Sequence, residues 1–187
     1  MSCKNLKSII LELYQAMNYV EEEQVNDFAD AIIAAKRIFV AGAGRSGFCA
    51  RGFSNRLLHL GFDVSFVGEP TTPPIKKGDL LIIGSGSGTT AGLVTMAQKA
   101  KNQGADIATV TISPENTIGS MSKTYIKLPG TTRLLQNDQT ESVESIQPVG
   151  SMFEQLSWLT YDAVIMTLKE KTGQSNDDMI ARHANLE

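Results

Sequence analysis

The sequence predicts an α/β fold, a three-layer α-β-α sandwich around a five-stranded parallel sheet, on three observations. Five short runs, RIFVAGAG, DVSFV, DLLIIGS, DIATVTI and YIKLP, alternate with stretches of helical periodicity. Several of them are continuously apolar, as strands are when helices cover both faces of a parallel sheet. Gly61 after Leu60 and Gly104 after Gln103 stand where a helix takes a left-handed residue before the chain re-enters the sheet.

Two extra helices occupy residues 1–36, ahead of the first strand. From Leu6 to Tyr19 the apolar residues Leu6, Ile9, Ile10, Leu13 and Met17 recur at three- and four-residue intervals, one stripe of an amphipathic helix. This end-exposed pair of helices is expected to pack against a partner chain. The second runs from Gln24 to Ala35 with Val25, Phe28, Ala31 and Ile32 inward. The parallel core then spans 37–129, with helices from Ser46 to Leu60 and Thr90 to Gln103 and a short helical turn before the last strand. Pro70, Pro73 and Pro74 exclude regular helix from Pro70 to Lys77, which is read as an exposed loop bordering a site or an interface. Residues Gly130 to Pro148 form a long polar loop of the kind that often carries function. A final helix from Gly150 to Lys171 and a tail complete 148–187, and the whole of 1–187 is read as one domain.

Composition narrows the function. With 187 residues, a net charge of −3 and 17 scattered Lys and Arg, the chain carries neither a nucleic-acid footprint nor a polybasic membrane patch. Cys3 and Cys49 give no metal spacing and no disulfide framework, so no metal is expected and a reducing cytoplasm fits. The start, MSCKNLKSII, lacks a signal-peptide core, and no apolar run approaches the roughly 18 residues of a membrane span.

Two glycine-rich loops carry the functional signal. The first strand ends in Gly42-Ala43-Gly44-Arg45-Ser46-Gly47 and the third in Gly84-Ser85-Gly86-Ser87-Gly88-Thr89-Thr90, each leading straight into a helix. Backbone approaches closely at glycine, and the free N–H groups of a helix's first turn favour a phosphate. In the flavodoxin-like order 2-1-3-4-5 these two strands are neighbours and their loops open at the switch point where such sheets bind ligands. The first loop also satisfies GxGxxG, and Glu69 lies past the second strand like a ribose-binding acid, so a dinucleotide site is the rival reading. Against it stand the two preceding helices, the hydroxyl-rich second loop and the short chain. The glycines could instead serve tight turns alone. The absence of GKS or GKT after them removes the P-loop reading.

Ser85-Gly86-Ser87-Gly88-Thr89-Thr90 resembles the Ser-x-Ser-Gly-x-Thr pattern through which SIS (sugar isomerase) domains bind phosphosugars. More narrowly, GAGRSG, RLLHLGFDVSFVGEPTTPP, QPVGSMFEQ and the closing RHANLE are similar to the 3-hexulose-6-phosphate isomerases, from the first helix to the last residue. The resemblance implies interconversion of D-arabino-3-hexulose 6-phosphate and D-fructose 6-phosphate in formaldehyde fixation by the ribulose monophosphate pathway, by a homotetramer without a cofactor. Another phosphosugar isomerase of the family, or a non-catalytic SIS regulator, remains an alternative.

The isomerisation requires one base to carry a proton between carbons 2 and 3 through a cis-enediol. Glu154, at the start of the final helix, is the first candidate, supported by the resemblance; read from composition alone it is a solvated helix-N-terminal glutamate. Glu69 is held in reserve. His183 in the tail is the candidate for moving protons among substrate oxygens, in a neighbouring subunit's site or its own, against the reading of a disordered tail. His59, late in its helix, reads as a structural histidine. Gly44, Arg45, Ser46, Ser85, Gly86, Ser87 and Thr90 are the candidate phosphosugar-binding residues, with Arg51 as a second cation able to neutralise phosphate or an enediolate oxygen.

Overall fold

The computed structural model describes residues 3–131 and 145–186. In chain order it holds α1 (Lys4–Ala16) with a 3-10 turn (Met17–Tyr19), α2 (Glu22–Ala34), β1 (Ile38–Gly42), α3 (Gly44–His59), β2 (Val64–Phe66) and β3 (Leu80–Gly84). There follow α4 (Ala91–Asn102), β4 (Asp106–Thr111), α5 (Thr117–Met121), β5 (Thr124–Lys127), α6 (Ser151–Thr172) and α7 (Asn176–Ile180). The strands form one parallel five-stranded sheet in the order β2-β1-β3-β4-β5. The expected architecture and strand order are therefore the observed ones. The expected loop from Gly130 to Pro148 falls largely outside the described residues.

Two apolar layers enclose the sheet. Val40, Ile82, Val110 and Ile126 face one side with Phe28, Ile32, Phe53, Leu57, Phe153 and Val164 from α2, α3 and α6. Phe39, Leu81, Ile83 and Ile107 face the other with Leu93, Ala97 and Ile118 from α4 and α5. Strands buried on both faces read as unbroken apolar runs for this reason. Gly61 (φ 89°) and Gly104 (φ 77°) hold the left-handed positions assigned to them.

Two local features differ from the sequence reading. Helix α3 begins at Gly44, two residues before Ser46, because the first loop is already the helix's opening turn. On α1, Leu13 and Ala16 are buried, whereas Leu6, Ile10, Leu11, Tyr14 and Met17 are exposed, so its apolar residues extend beyond what the rest of the chain covers. The tail, in addition, contains α7, which opens on a capping box: Ser175 Oγ accepts from the Asp178 amide and the Asp178 carboxylate accepts from the Ser175 amide.

At the opposite end of the sheet from the glycine loops, the buried Asp79 carboxylate accepts from Arg37 Nε at 3.2 Å, from Arg37 Nη2 at 2.6 Å and from the Lys76 amide at 2.9 Å. Arg37 Nη2 also donates to the Pro74 carbonyl at 2.9 Å, which ties the proline loop to the starts of β1 and β3. Burial works to raise the carboxyl's pKa, but the Arg37 and Lys76 hydrogen bonds outweigh it and hold it below the usual range. A depressed carboxyl contributes stability above its unfolded pKa of about 3.9 and loses it as pH falls through the lower folded value. Asp79→Asn should therefore lower the urea midpoint at pH 7, and the gap to wild type should narrow as pH falls below about 3.9. A gap constant from neutral to strongly acidic pH in urea titrations would contradict this assignment.

Candidate active site

Contacts between α3 and α6 set the site. Cys49 donates from its thiol to the Glu154 carbonyl at 3.2 Å, Gly52 lies under the Trp158 ring, and Phe53 stacks on Tyr161 with ring centroids 4.4 Å apart. These pairs advance together along both helices, so α3 and α6 run parallel, side by side. Their N-termini thus arrive together at the C-terminal edge of the sheet, where α4 also begins. Three helix N-termini make that edge electropositive through their unpaired N–H groups.

Between them lies a cavity of about 480 Å³. Gly44 and Ser46 border it from the first loop, Ser85, Gly86, Ser87 and Thr90 from the second, and Gly150, Phe153 and Glu154 from the start of α6. The first loop is tight because backbone meets backbone. A Cβ on Gly47 would stand 2.7 Å from the Gly42 carbonyl oxygen, and one on Gly42 would stand 2.8 Å from Gly47 Cα.

The second loop is braced from behind. The Ser85 amide donates to Val110 O and the Ile112 amide to Gly86 O, both at 3.0 Å, while Asn116 Nδ2 donates to Ser87 O at 2.9 Å. Ser87 Oγ accepts from the Thr89 amide at 3.2 Å. Ser85 Oγ, in contrast, is buried with no hydrogen-bond partner among the described residues, at the cavity wall. A buried hydroxyl without a partner is costly, and a bound oxygen anion would satisfy it.

Glu154 faces these loops with its side chain 17% exposed, and Arg45 Nη1 donates to its Oε2 at 2.7 Å and to Ser151 Oγ at 3.2 Å. Arg45 thus fixes the carboxylate rather than standing free for phosphate. The neighbouring Cys49 thiol has its pKa pushed up by burial and then by the Glu154 charge, which keeps it protonated. Tyr161, fully buried against Gly84, is pushed up by burial as well and stays a neutral phenol.

Three candidates lie elsewhere. Arg51 is directed toward β2, where its guanidinium sits 4.0 Å above the Phe66 ring and pairs with Glu69. Neither Arg51 nor Glu69 borders the cavity, so the second cation and the reserve base are both engaged with each other on the β2 side. His183 borders a different cavity, of about 540 Å³, between α3, α6 and the tail, together with His59. No described residue lines both. Ser151 and Asn116 were not singled out by sequence reasoning; Ser151, next to the helix-opening Gly150, carried a local signal, and Asn116 carried none.

The chain belongs to the SIS domain family, which matches it over residues 31–156. Within that class it is 46% identical to the 3-hexulose-6-phosphate isomerase of Bacillus subtilis over 96% of this chain and 95% of that one. It is 39% identical to the protein of the same name from Mycobacterium gastri, over 98% and 90%. Its fold matches a Methanococcus jannaschii crystal structure from which a 3-hexulose-6-phosphate isomerase function was inferred, with a TM-score of 0.82, 33% identity and coverage of 99% and 100%. Among the described residues no helix is long and apolar enough to cross a membrane.

The Gly42–Gly47 approach predicts that Gly47→Ala, which forces backbone apart, costs about 1–3 kcal/mol in urea denaturation. An unchanged unfolding midpoint would contradict that packing.

Proposed function

We propose that the chain is a 3-hexulose-6-phosphate isomerase, interconverting D-arabino-3-hexulose 6-phosphate and D-fructose 6-phosphate. The observation that carries the reading is the meeting of the Ser85 hydroxyl, which has no partner among the described residues, with the Glu154 carboxylate across one cavity at three helix N-termini. The names of relatives that match nearly the whole chain point the same way.

In this reading the phosphate is held by the Ser85, Ser87 and Thr90 hydroxyls and the N–H groups that open α4. Gly44 and Gly86 let the backbone come close to the sugar, and Ser46 brings a hydroxyl to the same cavity. A 3-ketose whose carbon 6 is blocked by phosphate cannot close a five-membered ring onto its carbonyl, so the substrate enters open-chain. Glu154 removes the proton from carbon 2 as the carbon 3 carbonyl gains a proton, giving the cis-enediol. The protonated Glu154 then returns its proton to carbon 3 while the carbon 2 hydroxyl loses one, leaving the carbonyl at carbon 2. The net oxygen-to-oxygen proton transfer falls to His183. Arg45 orients the carboxylate and offers charge to the enediolate oxygen. Binding at the remote phosphate orients the reacting carbons.

His183 borders a separate cavity in its own chain, so it would serve the Glu154 site of a second copy. Exposed apolar side chains suit such an assembly: Phe48, one turn into α3, is 68% exposed, and Leu6, Ile10 and Tyr14 on α1 are uncovered. A homotetramer acting in cytoplasmic formaldehyde fixation is the corresponding physiological reading.

Glu154→Gln keeps the shape and removes the base. It should lower kcat for fructose 6-phosphate by about 10²–10⁴-fold with little change in KM. Wild-type turnover in that variant, measured by steady-state kinetics, would reassign the base.

A further inference from the structure

We infer that His59 is a positioning residue that presents His183 to the active-site cavity of a second copy of the chain. The inference rests on the reading that His183 serves that cavity. His59 closes the last turn of α3, is only 4% exposed, and lies flat against the His183 ring with centroids 3.9 Å apart and planes 24° from parallel. The contact is made by the ring faces, and His59 Nδ1 is buried with no hydrogen-bond partner among the described residues.

The tail is seated at the same point by its backbone neighbour. Arg182 Nη1 donates to the His59 carbonyl at 3.1 Å and to Gln174 Oε1 at 2.9 Å. The Arg182 guanidinium also packs on Gly61, where a Cβ would stand 3.2 Å from its carbon. Residues 182 and 183 therefore bear on one short stretch of α3 and its cap, one through the main chain and one through the ring. An otherwise exposed tail residue gains a defined position in this way, which leaves less disorder to be removed when substrate binds.

The surroundings keep the platform neutral. Arg56 on α3, Asp162 and Trp158 on α6, and His183 itself border the cavity that His59 faces. Burial first, then the charges of His183 and Arg56, push the His59 pKa down. An uncharged ring does not repel a proton carried by its stacked neighbour. Trp158, 47% exposed at the rim, offers apolar surface beside the pair for a second copy.

The test is a double-mutant cycle on the full chain with fructose 6-phosphate as substrate. His59→Ala should lower kcat by about 10–100-fold, the scale of a misplaced catalytic group, while leaving KM within about twofold. His59→Phe, which keeps a flat ring, should recover most of the rate. The pair His59→Ala/His183→Ala should be no slower than His183→Ala alone, because one residue acts through the other. His59→Leu replaces the alanine variant if circular dichroism shows that it does not fold. A wild-type kcat in the His59 variants, a phenylalanine variant as slow as the alanine one, or fully multiplicative losses in the pair would each overturn the inference. Full activity in His183→Ala would instead remove the underlying role of His183, and a wild type that isomerises nothing would remove the proposed function itself.

Discussion

The parallel pairing of α3 with α6 is the constraint on which the rest of the structure depends. Gly52 lets the Trp158 ring come close, Phe53 and Tyr161 stack, and the Cys49 thiol reaches the Glu154 carbonyl. Because both helices then point their N-termini to the same edge of the sheet, Glu154 reaches the glycine loops although it lies 109 residues from Arg45. Antiparallel packing would carry Glu154 to the far end of the sheet and leave the loops without a carboxylate.

That geometry also divides the labour along one helix. The first turn of α3 belongs to the loop cavity, and its last turn, through His59, receives the tail. A single rigid element thereby links the place where phosphate would bind to the place where His183 rests. For the proposed reaction rigidity would matter, since proton transfer between adjacent carbons tolerates little error in the position of a base. The loops supply it too: the second is held from behind by Val110, Ile112 and Asn116 before any ligand arrives.

Much of this was legible in the residues, for identifiable reasons. Unbroken apolar runs such as LLIIG follow from burial on both faces, and Gly61 and Gly104 follow from the left-handed cap, so sheet and helix boundaries could be read locally. The two loops were legible because glycine and hydroxyl residues at strand-to-helix junctions serve few purposes other than turns and oxygen anions. Partners remote in sequence were not legible. Nothing near Arg45 announces Glu154, nothing near Arg51 announces that Glu69 and Phe66 will engage it, and the stacking of His59 on His183 spans about two thirds of the chain. On α1 the periodicity was correct but could not say which apolar residues this chain would cover, since Leu13 is buried and Ile10 is not.

The central claim is that one carboxylate beside two phosphate-type loops moves a proton between carbons 2 and 3 of a phosphosugar. Proton NMR of wild-type protein with fructose 6-phosphate in heavy water tests it most directly, because the position of the exchanged hydrogen identifies the enediol. The account predicts deuterium at carbon 3, none at carbon 1, and appearance of the 3-ketose. Exchange at carbon 1, or a bound phosphosugar with no exchange at either carbon, would contradict it.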